Sequence, residues 1–138
     1  MYLVDTSVWI DYIHGYAGRH VEFLDELLRN PIATGISDFI YQEILQGAKD
    51  QKSFTRLKKY FSGQNFYRFT EPALSHEKAA YIYFHCRRKG ITLRSSVDCL
   101  IAQCSMENDL VLFHNDKDYI SMGKVTPGLK QKHFLPKK

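Results

Sequence analysis

The chain begins with Met1-Tyr-Leu-Val-Asp-Thr-Ser7, in which a short apolar run is followed at once by an acid and two hydroxyl residues. Residues 2–4 have the composition of a short buried strand, and the two hydroxyl residues begin a helical pattern. Asp5 therefore lies where a strand is followed by a helix, which in an open α/β sheet is the edge at which ligands bind. Two interpretations of Asp5 are open at this point, a helix cap or the first of several acids that converge on a metal.

Strand-like and helix-like segments alternate along the rest of the chain. This alternation predicts an α/β fold with a parallel sheet between layers of helices. The further predicted strands are residues 32–36, 66–69 and 110–113, with an edge strand at Val125. The predicted helices cover residues 6–15, 21–28, 39–48, 51–61 and 72–90, and two more start at Ser95 and lie around Tyr119.

Composition and charge are those of a single domain over residues 1–138. The chain has 44% hydrophobic and 25% charged residues, which are ordinary values for a globular protein. Its formal net charge is +4 at pH 7, which permits binding to a polyanion without requiring it.

The cysteines and the first residues of the chain indicate the cellular compartment in which the protein is expected. The three cysteines, Cys86, Cys99 and Cys104, lack C-x-x-C spacing, so neither a disulfide framework nor a zinc site is expected. Asp5 and Asp11 interrupt the apolar start, which argues against a signal peptide, and no apolar run approaches the ~18 residues of a membrane-spanning helix. We therefore expect a cytoplasmic protein.

Four acids stand at distinctive places in this pattern. Asp5 and Asp116 each follow a predicted strand. Glu43 lies within a predicted helix, and Asp98 lies in the first turn of another. Three of the four have an ordinary structural interpretation, because two could cap the helices that follow them and Ser95-Ser-Val-Asp98 has the form of a capping box. Taken singly, capping is the preferred interpretation of these three acids.

Glu43 is the acid that capping does not explain. It lies in mid-helix near Phe39, Ile40 and Ile44, on or beside the apolar stripe. A buried carboxylate is unfavourable by several kcal/mol unless it is paired or bound to a cation. The alternative is that Glu43 reaches water at the edge of the stripe or pairs with a lysine or arginine.

Taken together, the four acids predict a metal site. The two that follow strands share the carboxyl edge of the sheet, and the other two lie near the starts of helices that flank this edge. Clustered carboxylates repel one another unless a cation neutralises them. Oxygen ligands without paired histidines suit Mg²⁺ or Mn²⁺ better than Zn²⁺. Because Mg²⁺ often takes its remaining ligands from substrate phosphates, this cluster points to phosphodiester chemistry.

Four stretches of the sequence carry a family resemblance that covers nearly the whole chain. They are, in order, Leu3-Val-Asp-Thr-Ser-Val-Trp-Ile-Asp11, Ile36-Ser-Asp-Phe-Ile-Tyr-Gln-Glu-Ile-Leu-Gln-Gly-Ala48, Ser96-Val-Asp-Cys-Leu-Ile-Ala102 and Leu110-Val-Leu-Phe-His-Asn-Asp-Lys-Asp-Tyr119. In this order they resemble the four motifs of PIN-domain ribonucleases. The closest resemblance is to the VapC-type toxins of bacterial type II toxin–antitoxin pairs.

The resemblance implies a PIN-like three-layer fold with a central, mostly parallel sheet of four to five short strands flanked by helices. It also implies a Mg²⁺- or Mn²⁺-dependent endoribonuclease with RNA as substrate, a homodimer, and a cognate VapB-like antitoxin that blocks the site. The implied catalytic and metal-binding quartet is Asp5, Glu43, Asp98 and Asp116. The implied accessory residues are Thr6, Ser7, Asn115 and Asp118. Glu43 has two implied roles, a metal ligand or a group that orients the attacking water.

His114 departs from the family pattern, in which relatives often carry Thr or another small polar residue at this place. The preferred interpretation is a histidine at the end of a strand that faces solvent. The alternative is a contact with phosphate.

Basic residues are grouped in two runs and in a C-terminal segment over residues 124–138. A solvated helix face is the usual meaning of such a run, and contact with the RNA backbone is the second interpretation. For the C-terminal segment, a disordered tail and an RNA contact are both open. The two runs are Lys49, Lys52, Arg56, Lys58 and Lys59, and Arg87, Arg88, Lys89 and Arg94.

Two other classes of protein share parts of this pattern. The first class is another kind of Mg²⁺-dependent phosphoryl-transfer enzyme, such as the haloacid-dehalogenase-like phosphatases and the response-regulator receivers. Both of these also place acids after parallel strands. The phosphatases need Asp-x-Asp after the first strand, where this chain has Ser7 in the third position, and the receivers need paired early acids and a late lysine. The second class is a catalytically inactive RNA- or protein-binding module on the same fold, against which the presence of all four acids argues.

Overall fold

The apolar run at the start of the chain forms an inner strand of a parallel sheet. In the computed structural model, which describes residues 1–136, β1 (Tyr2–Val4) pairs with β2 (Thr34–Gly35) on one side and β3 (Val111–Phe113) on the other. β4 (Gln131–Lys132) pairs with the far side of β3, so that the strand order is β2-β1-β3-β4 and every pairing is parallel. The predicted α/β fold with a parallel sheet of four short strands is confirmed.

Seven helices lie in the described part of the chain, and none of them is long and apolar enough to cross a membrane. They are α1 (Thr6–Ile13), α2 (Arg19–Leu27), α3 (Asp38–Gln46), α4 (Gln51–Phe61), α5 (Pro72–Arg88), α6 (Val97–Glu107) and α7 (Lys117–Gly123).

The hydrophobic core covers both faces of the sheet. Consecutive residues of a strand point to opposite faces, and Leu3 with Val4 in β1 and Leu112 with Phe113 in β3 are all fully buried. A parallel sheet needs cover on both faces, which explains why its strands are continuous apolar runs without polar alternation. The chain thus forms the three layers that were predicted.

Local capping signals decide where α3 and α6 begin. Ser37 caps α3, because its hydroxyl accepts a hydrogen bond of 3.2 Å from the backbone N–H of Ile40. The capping box predicted at Ser95 is wrong. α6 begins one residue later, after Ser96, whose side chain makes no capping bond, while the Ser95 hydroxyl accepts from the backbone N–H of Val97. Capping therefore does not explain Asp98.

Two predicted strands are replaced by other structures. Residues 66–69 do not form a strand, since only Phe66 makes a single parallel bridge with Ile36 at the edge of the sheet. Val125 lies in a turn after α7, where its backbone N–H donates to the carbonyl of Met122. The edge strand is β4 instead, and its polar Gln-Lys sequence carries none of the apolar character on which strand prediction depends.

The C-terminal basic segment contains β4. The backbone N–H of Leu112 donates to the Lys130 carbonyl at 2.8 Å, and that of His114 donates to the Lys132 carbonyl at 3.1 Å. Residues 131–132 are therefore part of the sheet and not of a disordered tail, whereas residues 137–138 of the predicted segment lie outside the described part of the chain.

Substitution of Gly35 by alanine is expected to destabilise the fold. A Cβ atom on this β2 residue would lie 2.1 Å from Cε2 of Tyr67 and 2.9 Å from the carbonyl oxygen of Asn65. Overpacking of this kind typically lowers the free energy of unfolding by about 1–3 kcal/mol, which corresponds to a drop in Tm of roughly 3–10 °C. Thermal unfolding followed by circular dichroism would measure the effect. Gly63→Ala is the control, because the nearest atom there is 3.8 Å from the added Cβ. Equal Tm values for the two variants would contradict the prediction.

Candidate active site

Asp5 is both the cap of α1 and a member of an acidic cluster. Its Oδ2 atom accepts hydrogen bonds from the backbone N–H of Ser7 at 3.0 Å and from the Ser7 hydroxyl at 2.6 Å. Its Oδ1 atom accepts from the hydroxyl of Tyr119 at 2.9 Å. The residue is only 5% exposed, and this burial raises the pKa of Asp5 against the opposing effect of the Ser7 hydrogen bonds. The capping interpretation of Asp5 is therefore confirmed, and the metal-ligand interpretation stays a prediction that its place in the cluster supports.

Asp98 lies beside Asp5 and is held in the first turn of α6. Its Oδ1 atom is 3.3 Å from the Tyr119 hydroxyl, so that one phenol contacts both aspartates. Asp98 is 9% exposed. Burial raises the pKa of Asp98 to about 7, and the neighbouring charges of Asp5, Asp116 and Glu43 add to this effect.

Glu43 joins the cluster from the middle of α3. The hydroxyl of Thr6 donates to its Oε1 atom at 2.7 Å, which links α3 to the first turn of α1. Burial raises the pKa of Glu43, the Thr6 hydrogen bond opposes this, and the charge of Asp5 adds to it. Within residues 1–136, no lysine or arginine forms an ion pair with Glu43, Asp5 or Asp98. The described residues therefore do not provide the ion pair that was the alternative for Glu43.

Asp116 and Asp118 complete the cluster at the start of α7. Asp116 caps this helix, since its Oδ1 atom accepts from the backbone N–H of Asp118 at 3.0 Å. One carboxylate oxygen from each of Asp98, Asp116 and Asp118 lies within 4.8 Å of the other two. Asp118, which the resemblance treats as accessory, thus belongs to the most compact group of acids in the described residues.

Arg94 is the basic residue of the described chain that contacts this cluster. Its Nη2 atom donates to Oδ1 of Asp116 at 2.6 Å, and its Nε atom donates to Oδ2 of Asp118 at 3.0 Å. Its side chain is 71% exposed. Arg94 is therefore more than part of a solvated basic run, because it provides the cluster with partial charge compensation from the solvent side.

His114 is the residue whose environment the sequence predicts wrongly. It is fully buried instead of facing solvent, and burial lowers the pKa of His114 to about 4. It does not reach solvent where a phosphate could bind, because β4 covers it. Its next neighbour Asn115 donates from its backbone N–H to the Ser7 hydroxyl at 2.8 Å. The predicted accessory residues Ser7 and Asn115 thus join the ends of β1 and β3.

Tyr119, the last residue of the fourth motif, is not among the site residues that the resemblance implies. It is fully buried, and its hydroxyl is the group that contacts both Asp5 and Asp98. Burial raises the pKa of Tyr119 well above its usual value, and the nearby carboxylates add to this effect. The sequence offers one indication that Tyr119 belongs to the site. It lies three residues after Asp116, on the side of α7 that faces the core.

The cluster fits a hard divalent cation. Its donors are carboxylate oxygens, which Mg²⁺ and Mn²⁺ prefer. Asp5 and Asp98 are buried. Burial is the main cause of the raised pKa values of Asp5, Glu43 and Asp98, and the charges of neighbouring carboxylates add to it. A bound cation would relieve the repulsion between these charges. The structure places Asp98, Asp116 and Asp118 within ligand reach of one another, and Asp5 and Glu43 lie near enough for their charges to raise the pKa of Asp98. The assignment of the quartet as catalytic and metal-binding residues stays a prediction.

The fold and this cluster define a class of protein. The sequence profile of the PIN domain matches residues 2–125, and the chain belongs to the PIN domain family. This membership separates the chain from the phosphatase and receiver classes.

Particular members of the family are similar to the chain over almost its full length. The ribonuclease VapC11 of Mycobacterium tuberculosis is 32% identical over 127 residues, which cover 91% of this chain and 94% of the relative. The VapC ribonuclease Mb1587 of Mycobacterium bovis matches with the same identity and coverage. The crystal structure of VapBC2 from Rickettsia felis, bound to a DNA fragment from its promoter, has the same fold, with a TM-score of 0.71 at 18% identity over 96% of this chain and 98% of that one.

Proposed function

We propose that this protein is a Mg²⁺- or Mn²⁺-dependent endoribonuclease that acts as the toxin of a VapBC-type toxin–antitoxin pair. The observation that carries the proposal is the group of carboxylates at the carboxyl edge of the sheet, in which Asp5 and Asp98 are buried and which has only one exposed arginine beside it among the described residues. When these carboxylates are ionised near neutral pH they repel one another, and a bound cation would relieve that repulsion. The names of the similar proteins, which are ribonucleases, supply the substrate class.

The proposed ligands are Asp5, Glu43, Asp98 and Asp116, with Asp118 adjoining them. A bound divalent cation supplies two kinds of chemistry, activation of water and stabilisation of charge on the phosphate and the leaving oxygen. The Tyr119 hydroxyl holds Asp5 and Asp98 in place, and the Thr6 hydroxyl holds one oxygen of Glu43. The other oxygen of Glu43 has no hydrogen-bond partner within residues 1–136, so it is available either as a ligand or to orient water.

Arg94 is expected to weaken the binding of a divalent cation, because its charge already partly neutralises Asp116 and Asp118. An exposed ion pair contributes little in solvent, so Arg94→Gln should tighten Mn²⁺ binding modestly, by up to about fivefold. Isothermal titration calorimetry would measure the dissociation constant. Arg88→Gln is the matched control, because Arg88 contacts the ring of Phe84 and none of the acids. Weaker Mn²⁺ binding by Arg94→Gln would instead show that Arg94 is needed to orient the two carboxylates.

The proposed antitoxin has a suitable groove beside the acids. A cavity of about 320 Å³ extends from Glu43 between α1, α3 and α4. Its walls include Ile10 and Ile13, which are 42% and 41% exposed, and Lys49 lies at its rim. An apolar groove that ends at an acidic cluster suits a peptide segment with apolar side chains and a basic residue.

A homodimer and a cytoplasmic location are also proposed, on the resemblance to the family.

The test of the proposed function is cleavage of RNA by the pure protein. Full-length protein is incubated with end-labelled total RNA in Mg²⁺, in Mn²⁺ and in excess EDTA, and the products are separated on denaturing gels. We expect discrete fragments with either cation and none with EDTA. Cleavage that persists in EDTA would contradict the metal dependence. Absence of cleavage with both cations would favour the inactive RNA- or protein-binding module.

A further inference from the structure

His114 connects the acidic cluster to the C-terminal strand. Its Nδ1 atom accepts a hydrogen bond of 3.1 Å from the backbone N–H of Asp116, and its Nε2 atom lies 2.7 Å from Oε1 of Gln131 in β4. Its ring also packs against the ring of Tyr119, with 4.9 Å between the ring centroids. The imidazole of His114 therefore contacts the backbone of Asp116, a proposed ligand. It also contacts the ring of Tyr119, whose hydroxyl contacts two other proposed ligands, Asp5 and Asp98.

The two hydrogen bonds fix the tautomer of His114. The backbone N–H of Asp116 is a donor, so Nδ1 must accept and carries no proton. Nε2 then carries the proton and donates it to the amide oxygen of Gln131. This is the orientation in which a single neutral ring satisfies both partners. The side-chain amide of Gln131 therefore determines how the imidazole faces Asp116.

Gln131 is itself held in position from two sides. In β4 it pairs with Leu112, two residues before His114, and because alternate residues share a face, the side chains of Gln131 and His114 lie on the same face of the sheet. On its other side the Gln131 amide lies against Gly123 at the end of α7. A Cβ atom added to Gly123 would be 2.3 Å from Nε2 of Gln131, so only glycine leaves room for the amide there.

We infer that His114 and Gln131 are positioning residues, which hold Asp116 and Tyr119 in the geometry that binds the cation. The inference rests on the proposed function. It makes β4, which contains no acid of the cluster, a supporting element of the active site. An ordinary buried histidine would also have both nitrogens satisfied. The contacts of His114 differ in their partners. One is the backbone of Asp116, which is itself a proposed ligand, and another is the ring of Tyr119, whose hydroxyl contacts the proposed ligands Asp5 and Asp98.

Gln131→Met tests the inference, because methionine keeps the length of the side chain and removes the acceptor. Groups that support metal ligands through hydrogen bonds are worth about 10–100-fold in metal affinity or activity. We therefore expect Gln131→Met to bind Mn²⁺ about tenfold more weakly than the wild type, as measured from the free Mn²⁺ signal in electron paramagnetic resonance. Unchanged affinity in a folded variant would overturn the inference.

Gly123→Ala perturbs the same contact from a different element. The new methyl group displaces the flexible amide of Gln131, and alanine suits a helix better than glycine, so the fold should be retained. We expect a loss of Mn²⁺ affinity similar to that of Gln131→Met. The matched control is Gly128→Ala, where the nearest atom, Sδ of Met106, is at an ordinary contact distance of 3.5 Å. If Gly123→Ala and Gly128→Ala bind Mn²⁺ equally, the inference is overturned.

The tautomer provides a readout that does not depend on the metal. Long-range ¹H–¹⁵N correlation spectra of the full-length, metal-free protein should show His114 as the neutral form with the proton on Nε2 at pH 7. Gln131→Met should weaken this preference. A proton on Nδ1 in the wild type would overturn the inference whatever the Mn²⁺ data show.

Failure of the inference can be distinguished from failure of the proposed function. If the wild type and Asp98→Asn bind Mn²⁺ equally, the acids are not the metal site and the proposed function fails. If Asp98→Asn loses Mn²⁺ but Gln131→Met does not, the proposed function stands and the inference fails.

Discussion

Asp98→Asn is expected to abolish RNA cleavage and to leave the fold intact. Asparagine has nearly the same shape as aspartate, so the buried site in the first turn of α6 can hold it without a change in packing. The substitution removes a charge from the most compact group of carboxylates. Even residues that only support metal ligands are worth about 10–100-fold, so loss of a ligand should lower the cleavage rate by more than about 100-fold. Asp5→Asn should have the same effect.

Cleavage of end-labelled RNA by the purified variants in Mg²⁺ would measure this loss, with circular dichroism to show that they fold. Asp25→Asn is the control, because Asp25 is exposed on α2 and has only a long hydrogen bond of 3.5 Å from the Tyr12 hydroxyl. We expect Asp25→Asn to cleave at the wild-type rate. If folded Asp98→Asn also cleaved at that rate, the assignment of the quartet would be wrong.

The same substitution is expected to stabilise the metal-free protein above neutral pH. The pKa of Asp98 is raised from 3.8 to about 7 in the folded protein. Because the pKa is higher in the folded state, protonated Asp98 stabilises the fold fully at pH values below its pKa in the unfolded state. This stabilisation is lost as the pH rises through the pKa in the folded state. Between pH 4 and 7, each pH unit should therefore remove at most about 1.4 kcal/mol. Asparagine does not ionise and avoids this loss.

The quantity to measure is the difference in Tm between Asp98→Asn and the wild type in EDTA. The buried His114, with a pKa lowered to about 4, favours the folded state as pH rises and so acts in the opposite direction, but it is common to both proteins. From pH 5 to pH 7 we expect the difference in unfolding free energy to grow by about 2–3 kcal/mol in favour of the variant. Mn²⁺ should raise the Tm of the wild type at pH 7.5 and have little effect on the variant. A difference that does not change with pH would contradict the prediction.

The sequence predicts those parts of the site that are encoded locally. The strand at residues 2–4, the position of Asp5 after it and the cap at Asp116 are each read from a few adjacent residues, and all three are found. Glu43 is identified as a candidate because it is a charged residue on or beside the apolar stripe of its own helix. These signals are short in range, and together they are sufficient to predict where the candidate site lies.

The remainder of the site depends on contacts between distant parts of the chain. The hydrogen bond from Tyr119 to Asp5 joins residues 114 positions apart, and no local pattern records it. The burial of His114 depends on β4, whose two polar residues do not resemble a strand. Arg94 appears in the sequence as one member of a basic run, and its contacts with Asp116 and Asp118 follow from the path of the loop between α5 and α6.

The contact between Tyr119 and Asp5 also has a consequence for how the protein is made. Asp5 leaves the ribosome 114 residues before the tyrosine that it contacts. The neighbouring strand β3 and the supporting strand β4 are synthesised later than most of the chain as well. The acidic cluster therefore cannot assemble on a partial chain, so a ribonuclease of the kind proposed would remain inactive until its synthesis is almost complete.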